Sequence, residues 1–301
     1  LSKWRLGEKT IHIWGNQQSI KKWSSLGSKL KRKLINQENY PAFLLNDPDN
    51  YPNLLKLIQK FKPRFINGYT SSIGSFALWL KENNIKVEGV KAVFTTAENL
   101  TDAIRENIHS QIAPTSDLYG CGEINGIAIQ PVGESRYLIL DPHVVVESVE
   151  NNGINELVVT DLNNRIMPFI RYKTGDTIDK LNLPSEDNAY PFSSFNRLDG
   201  RLSDYIQLPS GKIIHPVNTL GGTFLRKFPQ IKKHKIVWNG EIMRFLLECN
   251  DSINIPELEQ EIKENLDQYN ITFTVEIFDK LLPGKSGKFK YVEIENNPNR
   301  T

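Results

Sequence analysis

Along the first third of the chain, short apolar runs alternate with stretches whose apolar residues recur at helical spacing. Ile11-His12-Ile13-Trp14-Gly15 reads as a strand and turn. Leu54, Leu55, Ile58 and Phe61 form one helical stripe, and Lys62-Pro63 ends it. Phe65-Ile66-Asn67-Gly68-Tyr69 reads as a strand emptying into a glycine turn. Thr70-Ser71-Ser72 can cap the next helix, in which Ile73, Phe76, Ala77 and Leu80 share a face. Val90–Thr96 is a further strand ending at Ala97-Glu98, and Thr101-Asp102 begins a helix reaching Ile112. This alternation predicts an α/β fold with helices packed on a sheet. Ligands would then sit at the carboxyl ends of the strands, where Tyr69, Glu98 and the turn Asp117–Glu123 fall.

From residue 126 to 180 the pattern changes to short strands, which predicts a β-rich subdomain. Leu157-Val158-Val159-Thr160 reads as a buried strand, Asp161–Asn164 as a turn, and Met167–Tyr172 as the return. That run is expected to end at Thr174-Gly175-Asp176, with Gly175 permitting a tight turn and Asp176 presenting its carboxylate at a strand end. Two carboxylate oxygens suit the two hydroxyls of a vicinal diol; a plain turn aspartate is the competing reading and, for this piece alone, the commoner one. Residues 181–196 read as a loop. Beyond them come a hairpin, Tyr205–Leu208 with Lys212–Ile214, a helix around 216–228, strands near 234–239 and 242–248, a helix at 256–268 and a strand at 272–278. The expected organisation is a large α/β domain over residues 1–200, containing the β-rich part at 126–180, and a small α+β domain over 204–301.

Composition narrows the class. The 301 residues suffice for two domains, and 39% apolar with 24% charged residues is ordinary for a globular protein. Net charge is +2, but residues 1–68 hold 13 Lys/Arg against 4 Asp/Glu while residues 101–200 hold 7 against 15. A total this near neutrality argues against nucleic-acid binding as the main activity. The basic run Lys29, Lys31, Arg32 and Lys33 reads as a solvated helix face, with an anion site as the alternative. Cys121 and Cys249 make neither a disulfide framework nor a metal-ligand spacing. No apolar run is long enough to span a bilayer and no signal peptide is evident, so a cytoplasmic setting is expected. The chain opens at Leu1 on sequence that reads as mid-domain, which suggests a piece of a longer protein.

Five short motifs in order carry a resemblance: Thr95-Thr96-Ala97-Glu98; Tyr119-Gly120-Cys121-Gly122-Glu123; Arg171-Tyr172-Lys173-Thr174-Gly175-Asp176; Gly200-Arg201-Leu202-Ser203-Asp204; and Pro283-Gly284-Lys285-Ser286-Gly287-Lys288. Together they resemble the adenylate-forming acyl- and aryl-CoA ligases, in particular the phenylacetate–CoA ligase branch and its relatives in capsular polysaccharide biosynthesis. The resemblance implies ATP-dependent activation of a small carboxylic acid as an acyl-adenylate, with Mg²⁺, followed by transfer to a thiol such as that of coenzyme A, to an amine, or to a sugar hydroxyl. It implies that Ala97 and Glu98 line the adenine pocket with Tyr119 against the base, that Gly120 is also cofactor-binding, that Glu123 holds Mg²⁺, and that Asp176 binds the ribose hydroxyls. Arg201 would reach ribose or phosphate, and Lys288 on the small mobile domain would be catalytic. Three departures stand against the pattern. A Gly/Ser/Thr-rich phosphate loop is absent from this chain, Gly122 stands where relatives have a hydroxyl residue, and Ser203 precedes Asp204 at the hinge position. A member that binds AMP or an acyl-adenylate without catalysis is therefore the second reading, and a homodimer is expected to cover exposed surface of the large domain.

Overall fold

The computed structural model describes residues 5–15, 25–185, 190–216, 227–228, 230–249, 253–282 and 289–295. The chain divides into two compact units, one comprising Leu1–Thr174 and Ile178–Leu198, the other Gly175–Thr177 and Asp199–Thr301.

The first unit is built on a mixed sheet. Strands β1 (Thr10–Trp14), β2 (Gln37–Pro41), β3 (Phe65–Tyr69), β4 (Ala92–Thr96) and β5 (Thr115–Tyr119) lie in the order β2-β1-β3-β4-β5, all parallel. Antiparallel strands β6 (Ala128–Gln130), β7 (Tyr137–Ile139) and β11 (Ser194–Phe195) continue the sheet beyond β5. Helices α1 (Leu26–Leu34), α2 (Tyr51–Phe61), α3 (Thr70–Glu82) and α4 (Asp102–Gln111) occupy the connections.

Side chains alternate across a strand, so one sheet face carries Ile11, Ile13, Ile66 and Val93. These pack in one core with Leu54 and Ile58 of α2, Ile73, Phe76, Ala77 and Leu80 of α3, and Ile108 of α4. Each large side chain fully buried there contributes about 1.5–3 kcal/mol. On the opposite face Phe65, Ala92 and Phe94 form a separate small cluster. Local signals set the helix ends as the pattern predicted. Lys62, in the left-handed region before Pro63, closes α2, and the Thr101 hydroxyl accepts from the Ile104 amide to open α4.

The β-rich part comes next. Strands β8 (Val144–Asn151) and β9 (Ile154–Asp161) form an antiparallel hairpin through Asn152-Gly153, both at positive φ, which matches the twist of the flanking strands. Tyr119, Ile124, Ile127, Tyr137, Leu157, Val159 and Phe195 share the core beneath it. Two expectations require correction here. The return strand does not start at Met167: β10 runs from Tyr172 to Ile178, after a segment in which Ile166, Met167 and Ile170 are exposed. Nor does the strand end at Asp176. Gly175, at φ +73°, sits within it, and Asp176 is a buried mid-strand residue. Glu147, polar within an apolar strand, is half-buried and pairs with Arg171 Nε at 3.1 Å.

In the second unit, β15 (Ile231–Trp238) and β16 (Ile242–Cys249) are antiparallel, with β17 (Thr272–Phe278) parallel to β16 and β18 (Val292–Ile294) parallel to β15. Helix α5 (Ile255–Leu266) opens on Asn254, whose side chain accepts from the Glu257 amide, and lays Leu258, Ile262 and Leu266 against Ile236, Phe245 and Leu247. The predicted hairpin is present as β13 (Ile206–Gln207) with β14 (Ile213–Ile214). Strand β12 (Leu198–Arg201) leads into this unit. The helix expected around 216–228 lies mostly outside the described residues, as does the motif at 283–288 with Lys288.

Candidate functional site

The parallel strands β3, β4 and β5 end side by side, because Tyr69 pairs with Thr96 and Thr96 with Leu118. Ala97-Glu98 and Tyr119-Gly120, far apart in sequence, therefore leave the sheet at the same edge. Ala97 is exposed and held at φ +70°, a conformation that a residue with a Cβ adopts rarely. Two bonds of its neighbour Glu98 hold it there. The Glu98 carboxylate accepts the Ser71 amide at 2.7 Å, while the Thr70 hydroxyl donates to the Glu98 carbonyl at 3.1 Å. Glu98 thus caps the N-terminus of α3 from another strand's loop. The cap expected from Thr70-Ser71-Ser72 is absent: no side chain of the N-cap residue bonds there, and the buried Thr70 hydroxyl is turned to the 96–98 loop instead. A carboxylate suits this place because the free amides and dipole of a helix start are positive.

Beside this turn Tyr69 stacks on Trp14, with ring centroids 4.4 Å apart and an interplanar angle of 28°. Burial raises the Tyr69 phenol pKa, with the Glu98 charge adding to the rise and a bond from Gly15 opposing it. Tyr119 is itself buried. Its hydroxyl lies 3.5 Å from the Thr174 hydroxyl and its ring meets Phe195 edge-on. Gly120 permits a close approach, but to its own loop: a Cβ there would stand 2.8 Å from the Gly126 amide. The Cys121 amide donates to the Ile124 carbonyl, and Glu123 projects exposed from the same turn.

Asp117 is not part of that turn. It is in β5, buried, and accepts from the Thr95 and Tyr137 hydroxyls, one on each carboxylate oxygen. Burial pushes its pKa up to about 6, against the opposing pull of those two bonds and of the Arg105 charge. Arg105 is itself anchored on the Thr115 carbonyl and the Gln130 side chain. This network was not legible as a site, since Asp117 reads locally as the start of the turn Asp117–Glu123.

In the second unit Asp176 meets Arg201. The Arg201 Nε to Asp176 Oδ1 distance is 2.7 Å, with the aspartate side chain 12% exposed and the arginine 57%. Thr177, next to Asp176, binds the Gly200 carbonyl through its hydroxyl at 3.1 Å and contacts the Tyr205 hydroxyl at 3.2 Å. The motifs ending at Asp176 and beginning at Gly200 are thus joined by two neighbouring residues. Asp204, one step past Ser203, is raised in pKa chiefly by burial. Among the described residues no cluster of three or more His, Cys, Asp or Glu side chains is placed to hold a metal by itself.

The fold matches 2-hydroxyisobutyryl-CoA ligase, crystallised in the postadenylation state with an acyl-AMP, at a TM-score of 0.71 over 98% of this chain and 67% of that one, at 15% identity. In sequence the chain is 27% identical over 278 residues to protein CapK of Staphylococcus aureus, covering 87% of this chain and 61% of CapK. It is 28% identical over 168 residues to phenylacetate-coenzyme A ligase of Pseudomonas putida, covering 50% of this chain and 37% of that enzyme. No family model matches. Motifs, relatives and fold agree in likening the chain to the adenylate-forming acyl- and aryl-CoA ligases. The chain spans less than two thirds of the length of these curated relatives.

Proposed function

We propose that this chain forms the adenine-, ribose- and acyl-binding part of an ATP-dependent ligase that activates a small carboxylic acid. The observation that carries the reading is the shared carboxyl edge of β4 and β5, where Ala97-Glu98 and Tyr119-Gly120 emerge together. Ligands of open α/β sheets bind at such an edge. The Ala97 backbone, exposed and locked by the Glu98 cap, offers rigid polar groups to a base. Asp176, set by Arg201, offers two acceptor oxygens to a ribose diol.

In the reaction a carboxylate oxygen attacks the α-phosphorus of ATP, the bond to the pyrophosphate oxygen breaks, and an acyl-adenylate results. Both reactants are anions, so catalysis is chiefly positioning and cationic stabilisation. Arg201 supplies fixed positive charge beside Asp176, and Lys288 is the residue of the shared motif that would supply it at the α-phosphate. Magnesium fits Glu123 as one ligand, since that cation is commonly held by one or two carboxylates with substrate phosphates. Bound there it would neutralise phosphate charge. Transfer to a thiol, amine or sugar hydroxyl completes the reaction. The motif resemblance to the capsular polysaccharide branch favours a sugar acceptor, and the similarity to phenylacetate-coenzyme A ligase favours coenzyme A.

The test is carboxylate-dependent exchange of pyrophosphate into ATP by the full-length protein, over a panel of acids. Exchange with at least one acid, abolished by Lys288→Ala, is expected. If the whole panel is inactive while AMP still binds, the chain is a nucleotide-binding member without adenylation activity and the ligase reading fails.

A further inference from the structure

The β4–β5 ladder ends with Thr96 opposite Leu118, and one pair earlier Thr95 stands opposite Asp117. The Asp117 carboxylate bridges that earlier pair, accepting from the Thr95 hydroxyl on one oxygen and from the Tyr137 hydroxyl on the other. Tyr137 belongs to β7, which reaches β5 through β6, so one side chain ties β4, β5 and β7 together. Two residues beyond Thr95 the chain leaves the sheet at Ala97, and two beyond Asp117 it leaves at Tyr119-Gly120. Backbone pairing between β4 and β5 has stopped by then, so the spacing of the two turns rests in part on this bridge.

The bridge carries a charge that strand pairing alone does not require. Asp117 is 3% exposed, and burial pushes its pKa up to about 6. At neutral pH the fold therefore keeps ionised a group that it would hold more stably with a proton. The groups facing it are Thr95 from β4, Tyr137 from β7, the neighbouring Leu118 amide and the Arg105 charge from α4. Arg105 makes its own hydrogen bonds to the Thr115 carbonyl and the Gln130 side chain. Burial and the Asp117 charge hold the Tyr137 phenol well above its ordinary range, so it remains a donor. An ionised carboxylate only accepts, which obliges both hydroxyls to donate toward it. A protonated one must itself donate to one of them and turn that hydroxyl round. Only the ionised form therefore holds both strands in this one arrangement, and charges kept ionised against burial are characteristic of functional sites.

We propose that Asp117 is a positioning residue for the nucleotide edge: as a carboxylate bound by the Thr95 and Tyr137 hydroxyls, it fixes the spacing at which the Ala97 and Tyr119 turns meet a base. The inference rests on the nucleotide-binding reading given above. Asp117 acts through the two turns and not by contact with the nucleotide, since both of its oxygens are engaged within the sheet.

Calorimetric titration of AMP into the full-length protein and into Asp117→Asn, from pH 5 to pH 8, tests it. The AMP phosphate titrates identically in both experiments, so the ratio of the two dissociation constants isolates Asp117. The variant should bind about tenfold more weakly at pH 8, and the two proteins should agree within about twofold at pH 5, where the wild-type carboxyl is protonated as well. A ratio that stays constant with pH, as a merely structural exchange of acid for amide would give, overturns the proposal. Equal affinity at pH 8 does the same. Thr95→Val and Tyr137→Phe each remove one donor at nearly constant volume, and each should weaken AMP binding about threefold at pH 8. Unchanged affinity in both overturns the proposal even where Asp117→Asn does not fold. Absence of AMP binding by the wild-type protein would overturn the nucleotide reading and this inference with it, whereas a constant ratio leaves that reading standing.

Discussion

Replacing Asp117 by asparagine should remove a pH dependence of stability that a single buried carboxyl imposes on the first unit. Desolvation raises the Asp117 pKa from 3.8 to about 6 in the fold, and the two hydroxyl donors and Arg105 only partly offset it. A shift of about 2 units corresponds to about 3 kcal/mol between the two protonation states. The sign comes from proton binding: between about pH 4 and pH 6 the folded protein holds a proton on Asp117 that the unfolded chain has released. The contribution is therefore fully present below the unfolded pKa and is lost as pH rises through about 6. Relative to Asp117→Asn, the wild-type chain should gain roughly 2 kcal/mol on going from pH 7 to pH 4, most of the full effect. Urea unfolding of both proteins across that range, followed by circular dichroism and tryptophan fluorescence, gives the difference. Other groups whose folded pKa is shifted, such as His12 and Asp179, act equally in both proteins and cancel. A difference between the two that stays constant from pH 4 to pH 7 would refute the assignment of a desolvated carboxyl to this network.

Three further outcomes are expected. Glu98→Ala should destabilise the first unit by about 1 kcal/mol, the worth of a helix cap, with Glu98→Gln recovering part of it; equal loss in both would place the effect on charge rather than on the bond to Ser71. Gly200→Ala should cost the second unit about 1–3 kcal/mol, because a Cβ at φ +121° would stand 2.5 Å from the His215 ring, and an unchanged thermal midpoint would show that the ring moves aside freely. Asp176→Ala should weaken AMP binding, measured by calorimetry, by about 1.5–3 kcal/mol if its oxygens hold the ribose. Unchanged affinity would leave Asp176 only its pairing with Arg201.

Much of the α/β alternation is written in short windows of sequence. The stripe Leu54–Phe61 with its Lys62-Pro63 stop, the start at Thr101, the strand at Phe65–Tyr69 and the hairpin around Pro209-Ser210-Gly211 each depend on residues within a turn or two of one another. Backbone propensity, capping and φ restrictions act over that distance, so the chain alone determines them. The motifs that point to nucleotide chemistry were legible for the same reason, as short runs.

Tertiary structure decided which groups meet. Glu98 caps α3 across 27 positions of sequence, displacing the local cap that Thr70-Ser71-Ser72 offered. Asp117 became a buried acceptor only because parallel register put Thr95 beside it and β7 brought Tyr137 over it. Asp176, read locally as a turn residue, lies mid-strand against Arg201 because β10 continues through Gly175.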